Sequence, residues 1–396
     1  MRIAVHDYAG FSFPLELSRE LSKRGHSVLH LFSEASGGPK ASCNNRNSQR
    51  LQIVNIDTDS VEKDDFLKRW LQERRYGALA IKELNRWQPD VIISGNTPLE
   101  AQKKIIRWAG NHSVPSIFWL HDLLSIAARS VISNISRSLG CFVYNYMNKI
   151  EIYALQHADR IVSITEDFIP FLNQWNIDPS KVSVIPNWGP IEQIPVLPRN
   201  NQFSERNGLN EKFVILYCGT LGKKQGIQLI ADTAAGLIDD NEIIFVVATD
   251  DRGHRLLNDQ LAGKTLSNLI QLPLQPSHLY PFLLASSDVT LVTIEASAGT
   301  YCVPSKLWSA YCAQKASVVA VDRGNLCARI TEAIHAGIVV TPGSVEECIS
   351  AVRKLKKNRT LRINMGKNAR DYAERHFPIS RVADSFEAII HQVAVN

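Results

Sequence analysis

Three lysines stand where their surroundings could hold a phosphate. Lys223 and Lys224 lie within Gly219-Thr220-Leu221-Gly222-Lys223-Lys224-Gln225-Gly226, between an apolar run at 212–218 and a helical pattern at 227–237. Glycines let a backbone approach a phosphate closely, and a helix start adds free N–H groups and partial positive charge. A surface turn with two solvated lysines would give the same string. The loop lacks the Gly-Lys-Ser/Thr of a P-loop, and neither Gly10 nor Gly253 begins a G-x-G-x-x-G fingerprint, which argues against an NAD-dependent dehydrogenase. Lys306 lies in Val303-Pro304-Ser305-Lys306-Leu307-Trp308. Pro304 and Ser305 are residues that start helices. A lysine in the first turn opposes the helix dipole, a conflict that a bound anion would remove. A lysine snorkelling to the surface is the alternative. Two such helix starts in one half of the chain suit a diphosphate, and a nucleotide sugar is a natural candidate.

These groups need a scaffold, and apolar runs alternate with helical patterns along most of the 396 residues. Strands are expected at 1–5, 27–32, 90–94, 116–120, 160–164 and 182–185, with a helix over 13–24 that stops at Gly25. The pattern restarts with strands at 212–218, 243–248, 289–293, 317–321 and 337–340, and helices at 227–237 and 306–313. Such alternation implies an α/β fold with parallel sheets covered on both faces. Two Rossmann-like domains are the simplest description. One spans 1–190 together with a returning helix at 379–396, and the other spans 200–370. The joint falls near Pro186, Pro190, Pro195 and Pro198. Lys306 then follows the strand at 289–293, at the carboxyl end of a sheet, where α/β ligands bind. In the first half Gly10, Asn96 and His121 occupy the equivalent ends of strands.

Composition narrows the class. Hydrophobic residues make up 45% and charged residues 21%, the profile of a globular chain rather than a disordered one. A net charge of +5 is too diffuse to argue for nucleic acid and suits an anionic ligand or membrane surface. Seven cysteines without a CxxC argue against a disulfide framework or a zinc site. Asp7 interrupts the first apolar run, so no signal peptide is expected, and no stretch is long enough to span a bilayer. A cytoplasmic protein is expected, with attachment to the inner face of the membrane as the further option.

The sequence resembles the family 4 retaining glycosyltransferases of GT-B fold, in particular those of bacterial cell-surface polysaccharides. The resemblance rests on Arg24-Gly25-His26-Ser27-Val28, His121-Asp122, Ala158-Asp159-Arg160-Ile161-Val162 and Val184-Ile185-Pro186-Asn187-Trp188 in the first half. In the second half it rests on Tyr217-Cys218-Gly219-Thr220-Leu221-Gly222 with Gln225-Gly226, Ser287-Asp288-Val289, and Val303-Pro304-Ser305-Lys306-Leu307. It implies two Rossmann-like domains facing across a cleft, an N-terminal half that binds the acceptor and a C-terminal half that binds the sugar nucleotide. It implies a UDP- or GDP-linked donor, no cofactor and no required metal. Gly219, Gly222, Lys223, Lys224, Tyr301, Ser305, Lys306 and Ser309 would line the donor, Gly10 and Asn96 the acceptor side, and His121 would approach the transferred sugar. The acceptor would be a saccharide or a lipid-linked saccharide.

The sequence departs from that family at several points. Basic residues common in the donor loop are replaced by Thr220 and Gln225. A pair of glutamates common near the donor is replaced by Tyr301 and Ser309, and no carboxylate lies between Ala296 and Val321. An acidic residue common further on gives way to Asn325-Leu326. No carboxylate pair is therefore visible for a double displacement. A same-face reaction, in which the departing phosphate helps deprotonate the acceptor, needs none. Two other readings follow from the departures: a non-catalytic sugar-nucleotide-binding subunit that supports an active partner, or an epimerase or phosphorylase on the same fold. Separately, 125–152 interleaves Ile126, Phe142, Val143 and Tyr146 with Arg129, Arg137 and Lys149. Such a basic amphipathic segment could dock on anionic lipid, pack on its own domain or make an oligomer contact.

Overall fold

The computed structural model describes residues 1–33, 49–56, 66–132, 137–222, 224–299 and 301–394. The chain divides into two compact units, one of Met1–Asn187 with Ile379–Asn396, the other of Trp188–Pro378.

The first unit holds β1 (Arg2–Asp7), α1 (Ser12–Lys23), β2 (Ser27–Phe32), β3 (Leu51–Asn55), α2 (Phe66–Trp87), β4 (Val91–Gly95), α3 (Leu99–Asn111), β5 (Ser116–Leu120), α4 (Leu124–Ile132), α5 (Arg137–His157), β6 (Arg160–Ser163), α6 (Ile169–Gln174) and β7 (Val182–Val184). Its strands pair in parallel, in the order β3-β2-β1-β4-β5-β6-β7. The central strands read as near-continuous Val, Ile and Leu because helices cover both faces. Ile3, Val5, Ile92, Ile93 and Ile117 are fully buried.

The second unit holds α7 (Gln202–Arg206), β8 (Phe213–Cys218), α8 (Ile227–Ala235), β9 (Ile243–Thr249), α9 (Asp251–Leu261), β10 (Leu269–Pro273), α10 (Tyr280–Ala285), β11 (Val289–Thr293), α11 (Lys306–Cys312), β12 (Ala316–Ala320), α12 (Leu326–Ala333), β13 (Gly337–Val340), α13 (Val345–Lys357) and α14 (Arg359–His376). This sheet is also parallel, in the order β10-β9-β8-β11-β12-β13. Its core gathers Ile215, Tyr217, Phe245, Val247, Leu291 and Val318 beneath α8 and α13. Both sheets have the α/β architecture expected from strand-helix alternation. The expectation missed β3 and β10, which lie at sheet edges. Gln52 and Asn55 are exposed in β3, and β10 is only half-buried along its length. One-sided burial breaks the apolar run that marks a central strand.

The final helix, α15 (Ile379–Ala394), starts just after Pro378 and belongs to the first unit. It buries Ile379, Val382, Ala383, Phe386, Ile389, Ile390 and Val393, a spacing that puts one apolar stripe on one face. Phe386 meets Trp119 edge-on at 4.8 Å. Arg24, where α1 ends, donates to Asp384 Oδ1 (2.7 Å), Glu387 Oε2 (2.5 Å) and the Ser380 carbonyl (2.7 Å). Gly25, at φ +97°, turns the chain there, and His26 then reaches Glu387 Oε1 at 2.8 Å. The Arg-Gly-His of the sequence thus anchors the last helix.

Candidate active site

In the second unit the strand order reverses between β8 and β11, the position where open α/β sheets bind ligands. Two loops leave the sheet there. The first begins at Gly219, whose φ of +136° suits glycine alone. A Cβ on Gly219 would come within 2.7 Å of Lys306 Cε, so the lysine stem lies against this bare backbone. Lys306 Nζ sits 5.0 Å from the centre of the Tyr217 ring, and the Tyr217 hydroxyl donates to the Thr220 carbonyl at 3.0 Å. Burial pushes the Lys306 ammonium down from 10.5 to about 8, and among the described residues no carboxylate pairs with it. An ammonium held in a partly desolvated place without a counter-ion is a site for an anion. Gly219 and Lys306, far apart in sequence, are therefore in contact.

The other residues expected on the donor side lie in the same two loops and on α11. Gly222 closes a turn, its carbonyl accepting from Gln225 N at 3.0 Å. Lys224 Nζ lies 5.4 Å from the centre of the Tyr301 ring, and Tyr301 is buried. Ser305 is exposed, and its hydroxyl does not cap α11. Ser309 is half-buried on α11, and Tyr280 lines one small cavity with Leu216, Cys218 and Lys306. Lys223 lies outside the described residues. Asn325 is a clamp: its amide donates to the carbonyls of Gly299 (2.9 Å) and Cys302 (3.0 Å), and its oxygen accepts from Cys327 N (3.0 Å). It holds the loop that carries Tyr301 against the start of α12.

One carboxylate at this end of the sheet escaped the sequence reading. Glu295 follows β11, one residue before the stretch found to lack acids. Its N–H donates to the Lys224 carbonyl at 2.8 Å, which ties the two loops together. Its Oε1 lies 3.7 Å from where a Cβ on Gly226 would stand. Thr293, two residues earlier on the same face of the strand, would meet that Cβ at 2.5 Å, and its buried hydroxyl has no hydrogen-bond partner. An acid at a strand end opposite a glycine loop was the available signal.

In the first unit the strand order reverses between β1 and β4. Asp7 ends β1, and its carboxylate accepts from Asn96 Nδ2 (2.9 Å) and Phe11 N (2.7 Å). Gly10 N donates to the Asp7 carbonyl at 3.2 Å. Gly10 and Asn96, both with positive φ, are thus fixed around one buried carboxyl that desolvation raises to about 7. His121 follows β5 and is 8% exposed, packed against Trp119 (4.7 Å) and Phe13 (5.4 Å). Burial pushes its imidazole down to about 3, so the ring is neutral. Asn187 Nδ2 donates to its Nδ1 at 3.4 Å, which leaves the proton on Nε2, and Nε2 has no partner. The ring therefore holds a buried Nε2–H that no described residue satisfies, and it does not titrate near neutrality. Among the described residues no group of three His, Cys, Asp or Glu is placed to hold a metal ion.

The amphipathic segment divides between core and surface. Val143 and Ile150 are buried, whereas Phe142 and Tyr146 face outward, and Arg137 lies outside the described side chains. Glu151 caps α4, accepting from Leu124 N (2.8 Å) and Ser125 N (3.0 Å). No helix among the described residues is long and apolar enough to cross a membrane.

Comparison with known proteins follows this division of the chain. The model of Glycosyltransferase Family 4 matches residues 13–192, and that of Glycosyl transferases group 1 matches residues 199–372. The chain is 24% identical over 308 residues to the putative colanic acid biosynthesis glycosyl transferase WcaI of Escherichia coli K12, covering 76% of this chain and 74% of the relative. It is 26% identical over 267 residues to an E. coli UDP-Gal:alpha-D-GlcNAc-diphosphoundecaprenol alpha-1,3-galactosyltransferase, covering 62% of this chain and 64% of that one. Among solved structures, Anabaena Alr3699/HepE in complex with UDP and glucose superposes with a TM-score of 0.74 at 14% identity, over 99% of this chain and 100% of that one. With both family models matched in order and both parallel sheets in place, the chain belongs to glycosyltransferase family 4 and has the GT-B fold.

Proposed function

We propose that this glycosyltransferase moves a sugar from a nucleoside diphosphate, UDP-linked in the first instance, to a saccharide or lipid-linked saccharide acceptor in cell-surface polysaccharide synthesis. The second unit binds the donor and the first the acceptor. The observation that carries the reading is Lys306: a desolvated ammonium without a counter-ion, pressed on Gly219 where the strand order reverses. Negative charge grows on the diphosphate as the glycosidic bond breaks. A cation held in place beforehand stabilises that charge with little reorganisation. Lys224, and Lys223 by its place in the sequence, would add to it. Neutral His121 would donate its Nε2 proton to a hydroxyl of the transferred sugar. The Tyr301 and Ser309 positions hold no carboxylate to act as nucleophile. The reading is therefore same-face transfer with retained anomeric configuration and no metal. The UDP complexes of Alr3699/HepE and the diphosphoundecaprenol acceptor named for the E. coli relative support this choice of donor and acceptor classes.

A lipid-linked acceptor would bring the protein to the inner face of the membrane. Exposed Phe142 and Tyr146 on α5, with Arg129 and Lys149 nearby in sequence, would meet anionic lipid there. A second reading, a sugar-nucleotide-binding subunit of a larger enzyme, draws on Ser309, which stands where the family commonly carries a glutamate. The test is incubation of the purified chain with UDP- and GDP-sugars and an undecaprenyl-diphosphate saccharide, with EDTA present. An α-linked product from an α-linked donor supports the proposal. Donor binding without turnover on any acceptor supports the subunit reading. No protection against unfolding by any nucleotide refutes both.

A further inference from the structure

Glu295 is the unexplained charge at the donor end of the second sheet. Its backbone is fixed on both sides, the N–H by the Lys224 carbonyl at 2.8 Å and the carbonyl by Ala298 N at 2.9 Å. Its side chain is exposed and makes no hydrogen bond or ion pair with a described residue. Two atoms of the strand end, Glu295 Oε1 and the unpartnered Thr293 Oγ1, converge on Gly226, which starts α8. Thr293 Oγ1 fills the place a Cβ would take there, so the glycine is what lets the strand end and the start of α8 come this close. A carboxylate in this position cannot be a phosphate ligand, since like charges repel. It is an acceptor-only group, and the ligand atoms that satisfy such a group beside a nucleotide sugar are hydroxyls.

We infer that Glu295 accepts hydrogen bonds from sugar hydroxyls of the donor nucleotide. The inference rests on the donor reading above and assigns it a residue. It also accounts for the lack of acid at Tyr301 and Ser309: a carboxylate reaches the donor end of the sheet from the preceding strand end instead. Two parts of the donor carry hydroxyls, the ribose and the transferred sugar, and both present the same chemistry.

The experiment compares wild type with Glu295→Gln and Glu295→Ala by calorimetry, using inorganic pyrophosphate, UDP and UDP-glucose as probes. Nucleotide release from UDP-glucose gives kcat and KM. Pyrophosphate affinity should stay the same or rise up to severalfold, because a negative charge has left the neighbourhood. UDP-glucose affinity or kcat/KM should fall about tenfold in Glu295→Ala, and less in Glu295→Gln, whose amide oxygen still accepts. A fall shared by UDP identifies the ribose, and a fall confined to UDP-glucose identifies the transferred sugar. Affinities within twofold of wild type for all three probes would overturn the inference. So would a parallel loss of pyrophosphate binding, which would make Glu295 a brace for the loop. Failure of wild type to bind UDP would instead refute the donor reading itself.

Discussion

Replacing Lys306 by methionine should make the unliganded protein more stable while removing its affinity for nucleoside diphosphates. The lysine stem packs on Gly219 and its ammonium is partly desolvated, which drops it from 10.5 to about 8. A drop of that size corresponds to about 3 kcal/mol by linkage. Half-burial and the Tyr217 ring reduce the expected gain to roughly 1–3 kcal/mol at pH 7. Below pH 8 the lysine is charged in both folded and unfolded states, so the full penalty applies there. Between pH 8 and 10.5 the unfolded chain binds more protons than the folded one, so wild-type stability rises with pH. The advantage of Lys306→Met should therefore be constant below pH 8 and shrink above it. Urea denaturation at pH 7 and pH 10 measures the difference, and calorimetry with UDP reads the function. Charge-assisted hydrogen bonds of roughly 1.5–3 kcal/mol predict a tenfold or greater loss of UDP affinity. A less stable variant, or one that binds UDP as wild type does, would refute the assignment of Lys306 as an uncompensated cation awaiting an anion.

In wild type, UDP affinity should fall as pH rises above about 8, by up to tenfold per pH unit, because binding must then reprotonate Lys306. Lys306→Arg should flatten that profile. His121→Ala should lower kcat on the sugar nucleotide at least tenfold while leaving UDP affinity within about twofold, and loss of UDP affinity would remove His121 from the reaction. His121 stays neutral in the folded state down to about pH 3 whereas the unfolded chain protonates it near 6.5, so stability is lost as pH falls below 6.5. His121→Phe should reduce that slope by about 1.4 kcal/mol per pH unit, as read by denaturation between pH 6 and 4. Glu387 is held below its ordinary value because hydrogen bonds from Arg24 and His26 outweigh its burial, so its contribution is present at neutral pH and lost as pH falls through the acid range. Glu387→Gln should cost about 1–3 kcal/mol in urea denaturation at pH 7 by weakening the hold on α15.

Periodicity and composition were enough to place the central strands of both sheets, because strands buried on both faces have little choice but to be apolar throughout. β1, β2, β5, β8 and β11 could all be read this way, and with them the α/β class. The edge strands β3 and β10 could not, since exposure on one side admits polar residues. Residue types suited to a phosphate were legible too: glycines for close approach, lysines for charge, Pro-Ser for a helix start. Their partners were not, since contacts depend on strand order, and strand order is a property of the whole sheet. Gly219 and Lys306 meet only because β8 and β11 are neighbours. The same adjacency brings Glu295 beside Gly226, and the pairing of β11 with β12 makes Asn325 a clamp on the Tyr301 loop. The neutrality of His121 is likewise a tertiary fact. A histidine after an apolar strand has an ordinary pKa until Trp119, Phe13 and Asn187 surround it and remove its water.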